Sequence, residues 1–228
     1  MVTITVIALG ATLIVAMFTR DRFRSVYRKR LEEEYPNGPT GAEMAREIIR
    51  SSGVKSIEVV EHKGAKLGDH YDERRKRLVL ASANYHGKSA GAVGVAAHEA
   101  GHALQHASGY AALLARQSAV RATLALSGLI FIFCAVLLIA LPGRVALLGL
   151  GVSWGLILLY NLATMPVEFD ASRRAKEAIE NMSAKLKVAQ MEGIYAMMKA
   201  CEWRYTGAFL GPLRHVPYHL FPSIDSKK

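Results

Sequence analysis

The sequence predicts a mainly α-helical integral membrane protein, with three transmembrane helices and a small α+β domain on the cytoplasmic side. Three observations lead to this fold class. Hydrophobic residues make up 51% of the 228 residues, which is more than soluble domains usually contain. The chain contains three long uncharged runs. Basic residues cluster on the same predicted side of all three runs.

The first uncharged run, residues 2–18, is about 17 residues long, the lower limit for a helix that crosses a hydrocarbon core of about 30 Å. A secretory signal peptide is the alternative interpretation, but no basic residue precedes the apolar run. The basic residues follow it instead: Arg20, Arg22, Arg24, Arg28, Lys29 and Arg30. We therefore expect residues 1–19 to form an uncleaved transmembrane anchor whose N-terminus lies outside the cell.

The second and third uncharged runs, residues 122–141 and 145–165, are separated by Pro142, Gly143 and Arg144, which indicate a tight turn. A buried helix pair in a soluble protein is the alternative, but soluble cores seldom supply about 20 uncharged residues twice in succession. We therefore expect residues 122–165 to form a transmembrane hairpin.

The charged flanks of the predicted spans agree on one orientation. Arg116 and Arg121 precede the second span, and further basic residues follow the third: Arg173, Arg174 and Lys176. Because cytoplasmic flanks carry the excess of Lys and Arg, residues 20–121 and 166–228 are both predicted to lie in the cytoplasm. We expect a multi-pass protein of the plasma membrane whose two cytoplasmic segments, the second of them helical, build one site.

Local signals predict two helices within residues 20–121. Thr40 is predicted to be an N-cap with Glu43 in the capping-box position, and Gly53 fits the end of that helix. A second helix is predicted from about residue 90 to residue 107, where small apolar residues surround several polar ones.

Two strands are predicted between these helices. Residues 54–60 are rich in β-branched side chains, and residues 77–81 form a second apolar segment. We expect the two segments to form a small antiparallel hairpin, with residues 71–75 as the turn region before the second strand.

The charge and the cysteines exclude several classes of function. The formal net charge is +10, but no recognition helix or RNA-binding aromatic motif accompanies the basic residues, so we expect no nucleic-acid partner. Cys134 and Cys201 give neither a disulfide framework nor a cysteine metal motif, and both are predicted to be free thiols.

His98 and His102 form the clearest candidate for a chemical site. A spacing of four residues places both imidazoles on one face of a helix, where they can bind one metal ion. Glu99 is rotated by about 100° from His98, which suits a residue that accepts a proton beside the metal. Gly101 lowers helix propensity by about 1 kcal/mol, which indicates a close approach to another element. An ordinary polar helix face is the alternative, but the small apolar neighbours make it a poor one.

A catalytic zinc site has three protein ligands and an open position for water, so a third ligand must come from elsewhere. Glu168 and Asp170 are the carboxylates that follow the third uncharged run. Pro166 could start a new helix with Glu168 in its first turn. A favourable charge at that helix N-terminus is the alternative role for Glu168.

Three longer motifs extend these observations: GDHYD at 68–72, GVAAHEAGHALQ at 94–105 and PVEFDASRRA at 166–175. With these motifs in this order, the chain resembles the YugP-like family of bacterial membrane-embedded neutral zinc metallopeptidases, over about residues 40–178 and the N-terminal run. The resemblance implies a zincin-like domain with one zinc ion per chain. It also implies His98, His102 and Glu168 as zinc ligands and Glu99 as the catalytic base.

The chain also distantly resembles the HtpX-type membrane proteases, in which an aspartate follows the third ligand by four residues. Ser172 occupies that position here, and Asp170 could substitute for the aspartate. The C-terminal residues 203–228 depart from the resemblance, because charged residues replace an expected apolar span. This segment could lie on the membrane surface instead.

The sequence thus predicts a zinc-dependent endopeptidase that hydrolyses membrane or membrane-proximal proteins, with the peptide substrate and the lipid bilayer as partners. Strand 77–81 could pair with an extended substrate or be an ordinary core strand. Four residues are candidates for a second oxyanion donor: Tyr85, His86, Arg173 and Arg174.

The alternative function is a non-catalytic membrane adaptor with a structural metal site, although Glu99 would have no role in such a site. A metal transporter would need ionisable residues within the spans.

Overall fold

A computed structural model describes residues 2–63, 68–116, 136, 143–182 and 188–204. The chain divides into two compact units. One contains residues 1–20, 115–164 and 204–228, and the other contains residues 21–114 and 165–203. The second unit contains the sheet and every candidate site residue.

The described part of the chain is mostly helical. Its helices are α1 (Val2–Leu31), α2 (Gly41–Ser51), α3 (Ser82–His86), α4 (Ala90–Ala107), α5 (Gly143–Glu180) and α6 (Val188–Arg204). The bounds of α4 are those that the sequence predicts. Ser89 caps the start of α4, because its side chain accepts a hydrogen bond from the backbone N–H of Ala92.

The capping box of α2 is confirmed. The Thr40 hydroxyl accepts a hydrogen bond from Glu43 N at 3.1 Å, and the Glu43 carboxylate accepts one from Thr40 N at 2.8 Å. The helix ends at Ser51, and Gly53 follows with φ of 74°, a left-handed conformation that favours glycine. These local signals therefore fix both ends of α2.

The sheet has three strands, β1 (Glu58–His62), β2 (His70–Asp72) and β3 (Arg77–Ala81), in the order β1-β3-β2. The prediction of an antiparallel hairpin between the first and last of these segments is wrong, because β1 pairs with β3 in parallel. The antiparallel partner of β3 is β2, which begins one residue before the region predicted as a turn and ends inside it. The actual turn is held by the Asp72 carboxylate, which accepts hydrogen bonds from Arg74 N and Arg75 N.

The central position of β3 decides between its two interpretations. Strands pair with it on both edges, so its backbone offers no open edge to an extended substrate. Leu78 and Leu80 are fully buried. The strand is therefore an ordinary core strand.

Helix α4 lies at the centre of the second unit, and its residues from Ala90 to Gln105 are all buried. Its small residues allow neighbouring helices to approach closely. A Cβ atom on Gly94 would lie 2.6 Å from Met197 Cβ on α6, and one on Gly101 would lie 2.0 Å from the carbonyl oxygen of Ala171 on α5. The close-approach role expected of Gly101 is thereby confirmed.

The prediction of three transmembrane helices is wrong. Among the residues that the structure describes, no helix is both long and apolar enough to cross a membrane. The prediction relied on uncharged runs, which do not fix the bounds of a helix, and α1 and α5 both continue into charged residues. The second predicted span, residues 122–141, lies outside the described residues except for Val136.

One of the two cysteines lies among the residues that the structure describes. Cys201 on α6 is buried and forms no disulfide among the described residues, in line with the sequence prediction. Cys134 lies outside the described residues.

We predict that Gly101→Ala destabilises the protein by about 1–3 kcal/mol or more, because the new methyl group would overlap the backbone of Ala171. Backbone cannot move aside as a flexible side chain can. The free energy of unfolding, measured by denaturant titration, gives the size of the effect.

Gly10→Ala is the matched control, since Gly10 also lies inside a helix, but a Cβ atom added there would have no neighbour within 4 Å among the described residues. There alanine should leave stability unchanged or raise it by up to about 1 kcal/mol. Equal stability of Gly101→Ala and the wild type would contradict the close contact.

Candidate metal centre

Helix α4 carries two histidines one turn apart on one face. His98 and His102 are 0% and 2% exposed, and their ring centroids lie 5.0 Å apart. The spacing of four residues aligns the two imidazoles along the helix axis, as the sequence predicts. Both rings can therefore reach one ion.

Glu168 on α5 completes a compact group of three potential ligands. Its Oε2 lies 3.2 Å from His98 Nε2 and 3.5 Å from His102 Nε2. The candidate ligand atoms of the three residues all lie within 4.8 Å of one another, and all three residues are buried.

Glu168 reaches this position from the interior of a helix. The prediction that Pro166 starts a new helix is wrong, because Pro166 lies inside α5. Proline removes one backbone hydrogen bond from a helix, and a long, packed helix can continue through it. Glu168 is therefore remote from the N-terminus of its helix, and an interaction with the helix dipole does not account for its burial.

The chemistry of the group fits a zinc ion. Two imidazole nitrogens and one carboxylate oxygen form a ligand set that catalytic zinc sites use, with a fourth position left for water. Burial lowers the pKa of His98, although its hydrogen bond with Glu168 opposes the shift. A metal ion binds the neutral imidazole, so this shift favours the form that a metal requires.

Further side chains contact the outward nitrogen of each histidine. Ser172 Oγ lies 2.9 Å from His98 Nδ1, and Gln105 Oε1 lies 3.0 Å from His102 Nδ1. The sequence flagged Ser172 only as the position of an expected aspartate, and it gave Gln105 no role. The available signal was spacing, because Ser172 follows Glu168 by four residues and Gln105 follows His102 by three.

Asp170 faces different partners from Glu168. Its carboxylate accepts hydrogen bonds from Gln105 Nε2 at 2.9 Å, from Arg174 Nε at 2.6 Å and from the Arg173 guanidinium. Burial tends to raise the pKa of Asp170, but these three hydrogen bonds outweigh it and lower the pKa. Of the two candidate third ligands, the structure thus brings Glu168 to the histidines.

Glu99 lies on α4 directly after His98 and is 1% exposed. Burial of a carboxylate is costly unless it interacts with charge or hydrogen-bond donors. Because Glu99 lies beside the histidines on the same helix, its carboxylate could accept a proton from a molecule bound at the two imidazoles.

A further carboxylate, Glu202, approaches the centre from α6. Burial raises its pKa, a hydrogen bond with Ser172 opposes this shift, and the charge of Glu168 adds to it. The sequence did not single out Glu202, because no motif lies near it on α6. Its proximity results from the packing of α6 against the other helices.

The four candidate oxyanion donors all contact other groups. Arg173 and Arg174 hold Asp170. The hydroxyl of Tyr85 accepts a hydrogen bond from Arg46, and His86 Nε2 lies 3.4 Å from Glu61 Oε1. The geometry therefore does not single out any of them as a second oxyanion donor.

Comparison with known proteins places the chain in a family. Residues 5–222 match the family described as putative neutral zinc metallopeptidase. The chain is 33% identical over 209 residues to a Bacillus subtilis (strain 168) protein named "Putative membrane protease YugP". The aligned region covers 91% of this chain and 89% of that protein. No solved structure matches the chain. With a match over nearly its whole length, the chain belongs to the putative neutral zinc metallopeptidase family.

Proposed function

We propose that the protein is a zinc-dependent endopeptidase, with His98, His102 and Glu168 as the ligands of one zinc ion per chain. The observation that carries the proposal is the buried group itself. Three buried ligand-type side chains from two helices lie within 4.8 Å of one another, so their ligand atoms are close enough to share one metal ion. The family to which the chain belongs supports the same metal.

Zinc in such a site supplies Lewis acidity, which polarises a peptide carbonyl and makes water a better nucleophile. The chain supplies the remaining functions. The two imidazoles and the carboxylate hold the ion, and Ser172 and Gln105 hold the imidazoles.

Glu99 is the proposed general base. It accepts a proton from the attacking water as the oxygen of that water bonds to the peptide carbon. The C–N bond then breaks, and Glu99 returns the proton to the departing amine, so that protons balance over the reaction. Its burial on the helix of both histidines supports this role.

We extend the proposal to protein substrates at or near a membrane surface. The name of the Bacillus relative supports this extension. A basic stretch in α1 also supports it, because Lys and Arg are attracted to anionic headgroups. This stretch comprises Arg20, Arg22, Arg24, Arg28, Lys29 and Arg30.

The alternative function is an adaptor that holds a metal ion only for stability. Structural zinc sites are closed by four protein ligands, whereas the group found among the described residues offers three. The two functions differ in the role of Glu99, since an adaptor has no need of a general base.

We predict that Glu168→Ala abolishes stoichiometric zinc binding, because two ligands make a poor zinc site. Zinc per chain, measured by elemental analysis after dialysis against a weak chelator, should fall from about one to near zero. Glu177→Ala is the matched control, since Glu177 is a carboxylate on the same helix that pairs with Arg173. Loss of zinc in Asp170→Ala together with full zinc in Glu168→Ala would show that the third ligand is Asp170.

We predict that Glu99→Gln retains zinc and loses hydrolysis by a factor of about 10²–10⁴, because the amide fills the same space but cannot accept the proton of water. Cleavage of an unfolded protein substrate, with zinc content measured on the same samples, separates the two effects. Glu177→Gln should remain active.

Wild-type activity in zinc-loaded Glu99→Gln would overturn the peptidase proposal and leave the adaptor. In cells, a comparison of membrane-protein fragments between wild type and Glu99→Gln identifies the substrates. Fragments confined to proteins remote from membranes would contradict the membrane-proximal part of the proposal.

A further inference from the structure

Gln105 is a fully buried amide, and both ends of it form hydrogen bonds. Its Nε2 donates to Val167 O at 2.8 Å and to Asp170 Oδ2 at 2.9 Å. Its Oε1 lies 3.0 Å from His102 Nδ1. One side chain on α4 thus connects a histidine of the metal centre to the turn of α5 that carries Glu168.

These contacts fix the orientation of the amide. Val167 O is a backbone carbonyl, which can only accept a hydrogen bond, so the amide end facing it must be the NH₂ group. The carboxylate of Asp170 also faces that end. The amide oxygen of Gln105 is therefore the atom that faces His102.

The orientation of the amide in turn fixes the proton of the imidazole. An amide oxygen has no proton to give, so the short contact at His102 requires an N–H on Nδ1. A neutral imidazole with its proton on Nδ1 carries a lone pair on Nε2. That nitrogen is the one that lies 3.5 Å from Glu168 Oε2.

Two arginines hold the Asp170 carboxylate, which is the group that the Gln105 amide contacts on α5. Arg173 and Arg174 both contact the Asp170 carboxylate. Arg174 also donates to Ser108 Oγ at 3.0 Å, and its guanidinium lies 5.5 Å from the centroid of the Tyr110 ring. Asp170 is thus held in place from its own helix and from the residues that follow α4.

We propose that Gln105 is a positioning residue that holds His102 in the Nδ1–H tautomer, so that Nε2 presents its lone pair to the metal. Its role for zinc rests on the proposed function, whereas the tautomer is a property of the metal-free protein as well. Residues that orient metal-bound histidines typically change metal affinity by 10–100-fold when they are replaced.

The first test needs no variant. In the metal-free wild-type protein, ¹⁵N NMR of the histidine rings should show the proton of His102 on Nδ1, with the signal assigned by its loss in His102→Gln. A ring with its proton on Nε2 and none on Nδ1 would overturn the proposal. This measurement does not depend on zinc binding, so its outcome is separable from the failure of the proposed function.

The second test replaces the amide by an apolar side chain of similar size. Gln105→Leu should release the His102 ring into a mixture of tautomers and raise the Kd for zinc by about 10–100-fold, measured by competition with a chromophoric chelator. A Kd within twofold of the wild-type value would overturn the proposal.

Asn84→Leu is the matched control for a general loss of stability. Asn84 is also a buried amide of the same unit, 3% exposed, and it bonds to Asp69 and Tyr27 rather than to the metal centre. Its replacement should lower stability without changing the His102 tautomer or the Kd for zinc. An equal change of Kd in both variants would show that Gln105 acts only through stability.

Discussion

The contact between α4 and α5 at Gly101 is the constraint on which the metal centre depends. A methyl group at Gly101 would lie 2.0 Å from Ala171 O, so the helices can approach this closely only at a residue without a side chain. Glu168 and Ser172 lie three residues before and one residue after Ala171 on α5. The same approach therefore brings the Glu168 carboxylate to one nitrogen of His98 and the Ser172 hydroxyl to the other.

Burial of so many polar groups is tolerable only because they form one connected network. Ser172 contacts His98 and also donates to Met198 O at 3.5 Å on α6. Gln105 contacts His102 and reaches α5. Each partner is a neutral hydroxyl or amide rather than a second charge near the histidines. The network thus orients the imidazoles through neutral groups, and the Asp170 carboxylate lies beyond Gln105 rather than in contact with His102.

The sequence predicted what local signals determine. The bounds of α4, the capping box of Thr40 and the strand Arg77–Ala81 depend on neighbouring residues and agree with the structure. Strand pairing, the continuation of α5 through Pro166 and the partners of Gln105 depend on residues distant in sequence. The spacing of residues along the sequence therefore cannot predict these three features. The prediction of the transmembrane spans was wrong for a related reason. Hydropathy gives the length of an apolar run, but it does not determine where the helix containing that run begins and ends.

Two carboxylates on α5, Asp170 and Glu168, have different neighbours on their own helix. Side chains three and four residues apart are neighbours on a helix. For Asp170 these are Arg173 and Arg174, which supply positive charge from the same helix. For Glu168 they are Ala171 and Ser172, which supply none. Glu168 is nevertheless the more deeply buried of the two and faces two imidazoles. A zinc ion among these three side chains would place positive charge directly beside the Glu168 carboxylate.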